Sequence, residues 1–166
     1  MKKINLKVAN FAHARFLFNL YNSSIAKGFS ITKKKINFKD HLKWLKTKID
    51  NEFSKIYIGY INLRKIGYVR FEQVSKKKYN VSIANHVNFI GKGLGPVLLN
   101  LSIKKFLSYN NSITIFALVK KDNIASKKTF IKNNFKLKKK IPKRLMIKNS
   151  RNLLCFELKS NNFKLF

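Results

Sequence analysis

What this chain lacks most is acid. Six Asp and Glu residues stand against 37 Lys and Arg in 166 positions, a formal net charge of +31. Any carboxylate chemistry must therefore come from Asp40, Asp50, Glu52, Glu72, Asp122 or Glu157. Cysteine is nearly absent: the single Cys155 excludes a disulfide framework and suits a reducing cytoplasm. With only three scattered histidines, His13, His41 and His86, no spacing of metal ligands exists, and no metal is expected. No run of 18 apolar residues occurs, so no membrane span is expected. The segment Met1 to Lys7 lacks an apolar leader core and a cleavage site, which predicts a soluble, unprocessed, cytoplasmic protein. Linkers and repeats are also missing. The chain reads as one domain, 1–166, and 45% hydrophobic composition is enough for a sizeable core.

Arginine is scarce among the bases, at positions 15, 64, 70, 144 and 151 only. Lys, Asn, Ile and Phe are abundant together, the joint enrichment expected of an A+T-rich coding sequence. Lysines also spread over every predicted helix instead of forming a stripe. Local runs occur at Lys33 to Lys35, Lys76 to Lys78 and Lys136 to Arg144. The last reads as a solvated loop, against the competing readings of an RNA, membrane-surface or phosphate contact. No base-reading or stacking pattern accompanies these runs, so nucleic acid is not a specifically expected partner.

Glycine is rare too, but half of the six cluster at Gly91, Gly93 and Gly95. Before them, Tyr79 to Asn85 alternates apolar and polar residues; after them, Pro96 to Leu101 opens an apolar helical run. Strand, glycine turn and helix start make an anion cradle. Glycine lets the backbone approach a ligand, and the helix offers unpaired N–H groups and its positive dipole end. Pro96 is tolerated in a first turn, where no intrahelical N–H bond is lost. A tight strand-to-helix connection would also want glycine, so the pattern is not decisive alone. Two known phosphate loops are excluded. Neither position 87 nor 88 is the upstream glycine of a P-loop, and the spacing is too short for a dinucleotide fingerprint.

The segment Ile90 to Gly95 resembles motif A of the GNAT superfamily of acetyl-CoA-dependent N-acetyltransferases, Gln/Arg-x-x-Gly-x-Gly/Ala. Gly93 and Gly95 fall on the glycine positions, and Ile90 stands where Arg or Gln is usual. A second block follows in the right order. The β-prone run Ile113 to Val119 leads to Asp122, a candidate N-cap, and then Asn123 to Phe135 resembles GNAT motif B with Asn134 in place of its usual glycine. The resemblance implies an α/β protein of α+β type. Its central sheet should be mixed and mostly antiparallel, with helices on both faces. It also implies acetyl-CoA as co-substrate. The cofactor contacts implied are Asn85, His86 and Val87 at the strand end, Ile90, Gly91, Lys92, Gly93, Leu94 and Gly95 in the turn, and Asn123, Ser126 and Phe130 in the second block. The first half of the chain supplies the remaining elements. These are a strand at Asn5 to Val8, helices at His13 to Tyr21 and Phe38 to Ile49, and a hairpin turning at Asn62 to Lys65. Leu153 to Leu158 should close the sheet.

Asp40-His41-x-x-Trp44 and Ile66 to Glu72 are similar to segments of acetyltransferases acting on amino-sugar nucleotides in pseudaminic acid type pathways. That likeness implies a small-molecule amine acceptor, with Trp44 and Phe71 walling its pocket and Arg70 holding a phosphate. The competing readings are a core aromatic for Trp44 and a solvated residue for Arg70. Transfer to an amine needs a base near neutral pKa. Glu72 and His41 are the leading candidates and His86 the third. Against these stand a surface ion pair for Glu72, packing beside Trp44 for His41, and a solvated strand end for His86. The usual motif B tyrosine is Phe130 here, which has no proton to give to a leaving thiolate. Alternatives from other classes are acetylation of a protein N-terminus or another amine, or a non-catalytic basic module binding nucleic acid or ribosomes. Ser160 to Phe166 reads as a frayed tail or a homodimer contact.

Overall fold

A computed structural model describes residues 3–26, 28, 30–31, 34–147 and 150–165. Seven strands form one sheet in the order β1-β2-β3-β4-β5-β7-β6. β1 (Ile4–Val8), β2 (Ser54–Ile61), β3 (Arg64–Ser75) and β4 (Lys78–Asn85) make an antiparallel meander. β5 (Thr114–Lys120) lies parallel to β4, and β7 (Leu153–Lys159) is antiparallel to both β5 and β6 (Lys136–Lys138). The helices are α1 (Ala14–Ala26), α2 (Phe38–Ile49), α3 (Leu94–Leu107) and α4 (Ile124–Lys132).

Local chemistry sets the element ends. Asn37 caps α2 by accepting from the Asp40 N–H at 2.8 Å, and Lys46 and Lys48 meet the negative end of the helix dipole. Asn62 takes φ 54° in the β2–β3 turn, a left-handed conformation Asn tolerates better than most residues. Asn134 has φ 63° just past α4, so the expected left-handed stop stands where a glycine is usual. Asp122 does not cap α4. Asn123 does, its side chain accepting from Ser126 N at 3.0 Å.

Strand alternation sorts the sheet into two faces. Val69 and Phe71 of β3, Val81 of β4, and Ile115, Ala117 and Val119 of β5 pack with Leu98, Leu99, Ile103 and Phe106 of α3 and Phe130 of α4. Phe71 is fully buried there and stacks on Phe106, ring centres 4.2 Å apart. The opposite face carries α1 and α2, where Leu17 and Leu45 meet Ile56 and Ile58. Farther along that face, Leu145 covers Phe116 and Cys155.

Two expectations are corrected. The basic run after α4 contains a short edge strand, β6, whose Lys138 pairs with Glu157 of β7. The C-terminal segment is docked rather than frayed: Ser160 Oγ accepts from Ile113 N, Asn100 Nδ2 donates to Lys164 O, and Phe163 packs on the main core. Lys33 and Phe166, which fall in two of the expected features, lie outside the described residues.

Candidate active site

β4 and β5 pair only from Lys78 to Asn80 and from Thr114 to Phe116. Past those residues β4 keeps β3 and β5 keeps β7, but the two strands leave each other and the sheet forks. Backbone groups on the inner edges of the fork are free for a ligand with amide groups to pair with. The fork opens into a cleft of about 430 Å³, which Tyr21 and Ser24 of α1 wall on one side and Ser126 and Phe130 of α4 on the other.

The glycine turn stands at the end of this fork. Gly91 and Gly93 have φ of 78° and 70°, so the turn is built from left-handed residues that glycine adopts without strain. Gly93 is the N-cap of α3, and among the described residues no side chain caps that helix. Nothing lies within 4 Å of the place a Cβ would take at either glycine. The approach to the helix start is therefore open, and its N–H groups are available to an anion. Gly95 has a different role. A Cβ there would sit 2.8 Å from Asn85 Nδ2 and 3.6 Å from Thr129 Oγ1, so its missing side chain lets β4, α3 and α4 meet. The fork, the open turn and the unclaimed helix start together fit the elongated, pyrophosphate-bearing acetyl-CoA.

The sequence-predicted cofactor residues divide accordingly. Asn85, Ile90, Asn123, Ser126 and Phe130 line the cleft. Gly91, Lys92, Gly93 and Leu94 form the turn beside it, with Lys92 Nζ held over the Phe89 ring. Val87 is exposed, and His86 stacks on Phe16 while its Nδ1 accepts from Asn88 N at 3.3 Å; neither lines the cleft.

The acceptor-side expectations fare unevenly. Arg70 lines the cleft. Phe71, one residue on, points to the opposite face and into the core, so it does not wall the pocket. Trp44 packs with the α1–α2 cluster and takes the Arg70 guanidinium over its ring at 5.1 Å, outside the cleft lining. Glu72 shares the Arg70 face but is held by Lys48 and by Arg70, whose Nε is 2.9 Å away. The Arg70 Nε–H is not aimed for a hydrogen bond, so the contact is an ion pair alone. His41 is 1% exposed in a box of Phe18, Phe38 and Trp44. Among the described residues neither of its ring nitrogens has a hydrogen-bond partner. Burial depresses its pKa below the ordinary value, and the Ala14 backbone only partly opposes this. The structure thus brings neither leading base candidate into the cleft.

What sequence reasoning missed is the polar row on β4. Asn80 and Ser82 line the cleft, and Asn80 Oδ1 and Ser82 Oγ are buried without partners. The signal was present in the alternation of Tyr79 to Asn85: on a central strand, the polar set faces a site when no solvent face is left to it. Tyr68 of β3 and Lys120 of β5 also line the cleft. Burial raises the Tyr68 phenol above its ordinary value against the pull of Arg70, keeping it protonated. Lys120 Nζ donates to Gly28 O at 2.6 Å, tying the segment after α1 to the mouth of the fork.

Comparison with known proteins agrees with this geometry. The chain is 27% identical over 135 residues to an acetyltransferase, PseH, of Campylobacter jejuni, covering 81% of this chain and 84% of that protein. The crystal structure of a spermidine N-acetyltransferase from Vibrio cholerae with CoA and spermine superposes with a TM-score of 0.82 at 15% identity, over 98% of both chains. YncA of Salmonella typhimurium, a putative acetyltransferase bound to acetyl-CoA, gives 0.77 at 18% identity over 95% and 94%. No family model matches the chain. At these identities the structural likenesses establish a shared fold, that of the GNAT acetyltransferases.

Proposed function

We propose that this GNAT-fold chain, which resembles acetyl-CoA-dependent N-acetyltransferases in sequence and structure, transfers an acetyl group to the primary amine of a nucleotide-linked amino sugar. The forked β4–β5 pair ending at the uncapped glycine turn carries the transferase reading. Acetyl-CoA supplies an activated thioester and a thiol leaving group. The turn at Gly91 to Leu94 would hold its pyrophosphate, the inner edges of β4 and β5 its amide-bearing arm, and Asn123 and Ser126 of the second block the flank of that arm.

The acceptor side supports an anionic substrate. Arg70 and Lys120 line the cleft, and among the described residues no carboxylate does. A polycation such as a polyamine would enter against two positive charges with nothing to receive it. A nucleoside diphosphate suits Arg70, whose planar fork matches phosphate oxygens. The similarity of Asp40-His41-x-x-Trp44 and of Ile66 to Glu72 to segments of acetyltransferases acting on amino-sugar nucleotides favours the same class. Lysines spread over all elements favour solvation over a nucleic-acid groove, and the cytoplasmic, small-molecule setting follows from this substrate.

Calorimetry with acetyl-CoA tests the reading, with Gly93→Trp as the comparison. The wild-type chain is expected to bind acetyl-CoA and the variant to lose at least about tenfold in affinity, because a side chain at φ 70° is strained and an indole at the N-cap of α3 fills the open approach an anion would use. Equal binding by both proteins, or none by the wild type, would remove the cofactor site. Incubation with acetyl-CoA and UDP-glucosamine should then yield the N-acetyl product by mass. Product with spermine alone would transfer the reading to polyamines.

A further inference from the structure

We infer that Asn80 and Ser82 form the seat of the acceptor amine, which reaches it as the free base and gives its proton to solvent instead of to a side chain. This rests on the acetyltransferase reading and adds to it the residues that receive the nucleophile.

Every ordinary base of the chain is accounted for elsewhere. Glu72 and Glu157 are ion-paired to Lys48, Arg70 and Lys138. Asp40 serves the α2 cap, accepting from Asn37 Nδ2, while Asp50, Glu52 and Asp122 are exposed outside the cleft lining. His13 is bonded to Tyr60 and Asn10, His41 is sealed among aromatic rings, and His86 stacks on Phe16. The residues outside the structural description contain no Asp, Glu or His. The cleft therefore offers a nucleophile no carboxylate and no imidazole.

Among the described residues it does offer three orphaned acceptors, of which Asn85 Oδ1 lies at the far end of β4 beside the glycine turn and the other two lie together near the mouth of the fork. Asn80 Oδ1 and Ser82 Oγ are buried, without partners among the described residues, and two residues apart on the cleft face of β4. A buried acceptor left unsatisfied destabilises its surroundings, so a donor from the ligand is favoured there. Positions two apart on a strand are separated by about 6.6 Å. Two hydrogen bonds of about 2.9 Å from one tetrahedral nitrogen reach acceptors about 4.7 Å apart, so the two side-chain oxygens serve one amine by leaning toward each other by about 2 Å, which the longer Asn80 side chain allows. Asn80 is the last β4 residue paired to β5 and Ser82 the first polar one past the fork, so the seat lies where the thioester arm would enter. Ser82 stands opposite Arg70 in the register. Arg70 and Lys120 disfavour an ammonium ion there and leave the neutral amine as the form that binds.

The step balances without a protein base. The amine lone pair forms the C–N bond, the C–S bond breaks, and its electron pair leaves on sulfur. The surplus amine proton passes to solvent water, and the thiolate takes one back from solvent. Phe130, which has no proton to give, is consistent with this.

The test is the pH dependence of kcat/KM with UDP-glucosamine and acetyl-CoA. In the wild type it should rise with pH and level off at the amine pKa of UDP-glucosamine itself, titrated separately. Glu72→Gln and His86→Gln should keep that midpoint. Ser82→Ala should lower kcat/KM about three- to tenfold, a hydrogen bond's worth, with Ser82→Thr restoring it and acetyl-CoA affinity unchanged throughout. Asn80→Ala combined with Ser82→Ala should lose more. A rising limb that belongs to no ionisation of the acceptor and vanishes in Glu72→Gln or His86→Gln overturns the inference, as does a double variant as active as wild type. Acetyl-CoA binding without N-acetyl product from any amine offered would overturn the transferase reading and the seat with it.

Discussion

His41 shows how much one side chain depends on its neighbours. It stacks on Phe38, sits edge-on to Phe18 and touches Trp44, with both ring nitrogens lacking partners. A charged imidazole in that box would lose its hydration and gain ring faces and the nearby Ala14 backbone, which offsets only part of the loss. Its folded pKa is accordingly depressed below about 6.5, first by burial, so the folded state resists protonation that the unfolded chain accepts. The sign follows: stability from this residue is complete above the unfolded pKa and is lost as pH falls from about 6.5 through the lower folded value. His13, also depressed mainly by burial, adds a contribution of the same sign. His41→Leu should flatten part of this fall. Urea midpoints measured across that window check it, and parallel curves for both proteins would contradict it. The His-x-x-Trp spacing was legible in the sequence as a helical pair. That it faces the α1–α2 packing and not the cleft was not, because Phe18 comes from a different helix. Glu72 is similar: its isolation among lysines was visible, whereas its capture by Lys48 and Arg70 depends on how α2 lies over β3.

At the scale of elements, strand and helix patterns were legible wherever periodicity was long. α2 has the expected bounds, and the glycine turn joins a strand and a helix as expected. β6 was not legible: three residues, Lys-Leu-Lys, carry no period of their own and become a strand only because β7 offers an edge. The α4 cap shifted by one residue because Asn and Asp both accept from backbone N–H groups, and only the chain path chooses between them. The joint of α3, α4 and β4 also needed coordinates. Asn133, fully buried at the end of α4, donates to Pro96 O in the first turn of α3 at 3.1 Å and to Thr129 O at 2.9 Å. Gly95 lets Asn85 and Thr129 close the same joint. Gly95→Ala should cost about 1 kcal/mol, the low end of overpacking, because the obstructing Asn85 Nδ2 ends a side chain that can move. Moving it disturbs the end of the fork, so acetyl-CoA should bind several-fold more weakly. Urea denaturation and calorimetry read the two effects. A destabilised variant with wild-type affinity would separate the joint from the site.

For the whole molecule the governing quantity is charge. With +31 on 166 residues, every part of the surface feels repulsion from the rest. The ion pairs of the described residues fall on Glu72 and Glu157, two of the six acids, so pairing relieves little of it. Cations over aromatic rings, Arg15 on Phe38 at 3.8 Å and Lys7 on Tyr60 at 5.3 Å, recover some attraction without needing acid. The same field aids capture of anionic acetyl-CoA. Folding and binding should therefore respond to salt in opposite directions. Raising ionic strength from about 0.01 M to about 0.15 M shortens the Debye length from about 30 Å to about 8 Å, removing repulsion across the molecule while sparing short contacts. The thermal midpoint of the ligand-free protein should rise over that range, and the acetyl-CoA association constant should fall. Scanning calorimetry and titration on one salt series measure both. A midpoint that drops with salt would mean that local pairings outweigh the net charge. An affinity insensitive to salt would place the binding energy in the backbone of the glycine turn instead of in the lysines around it.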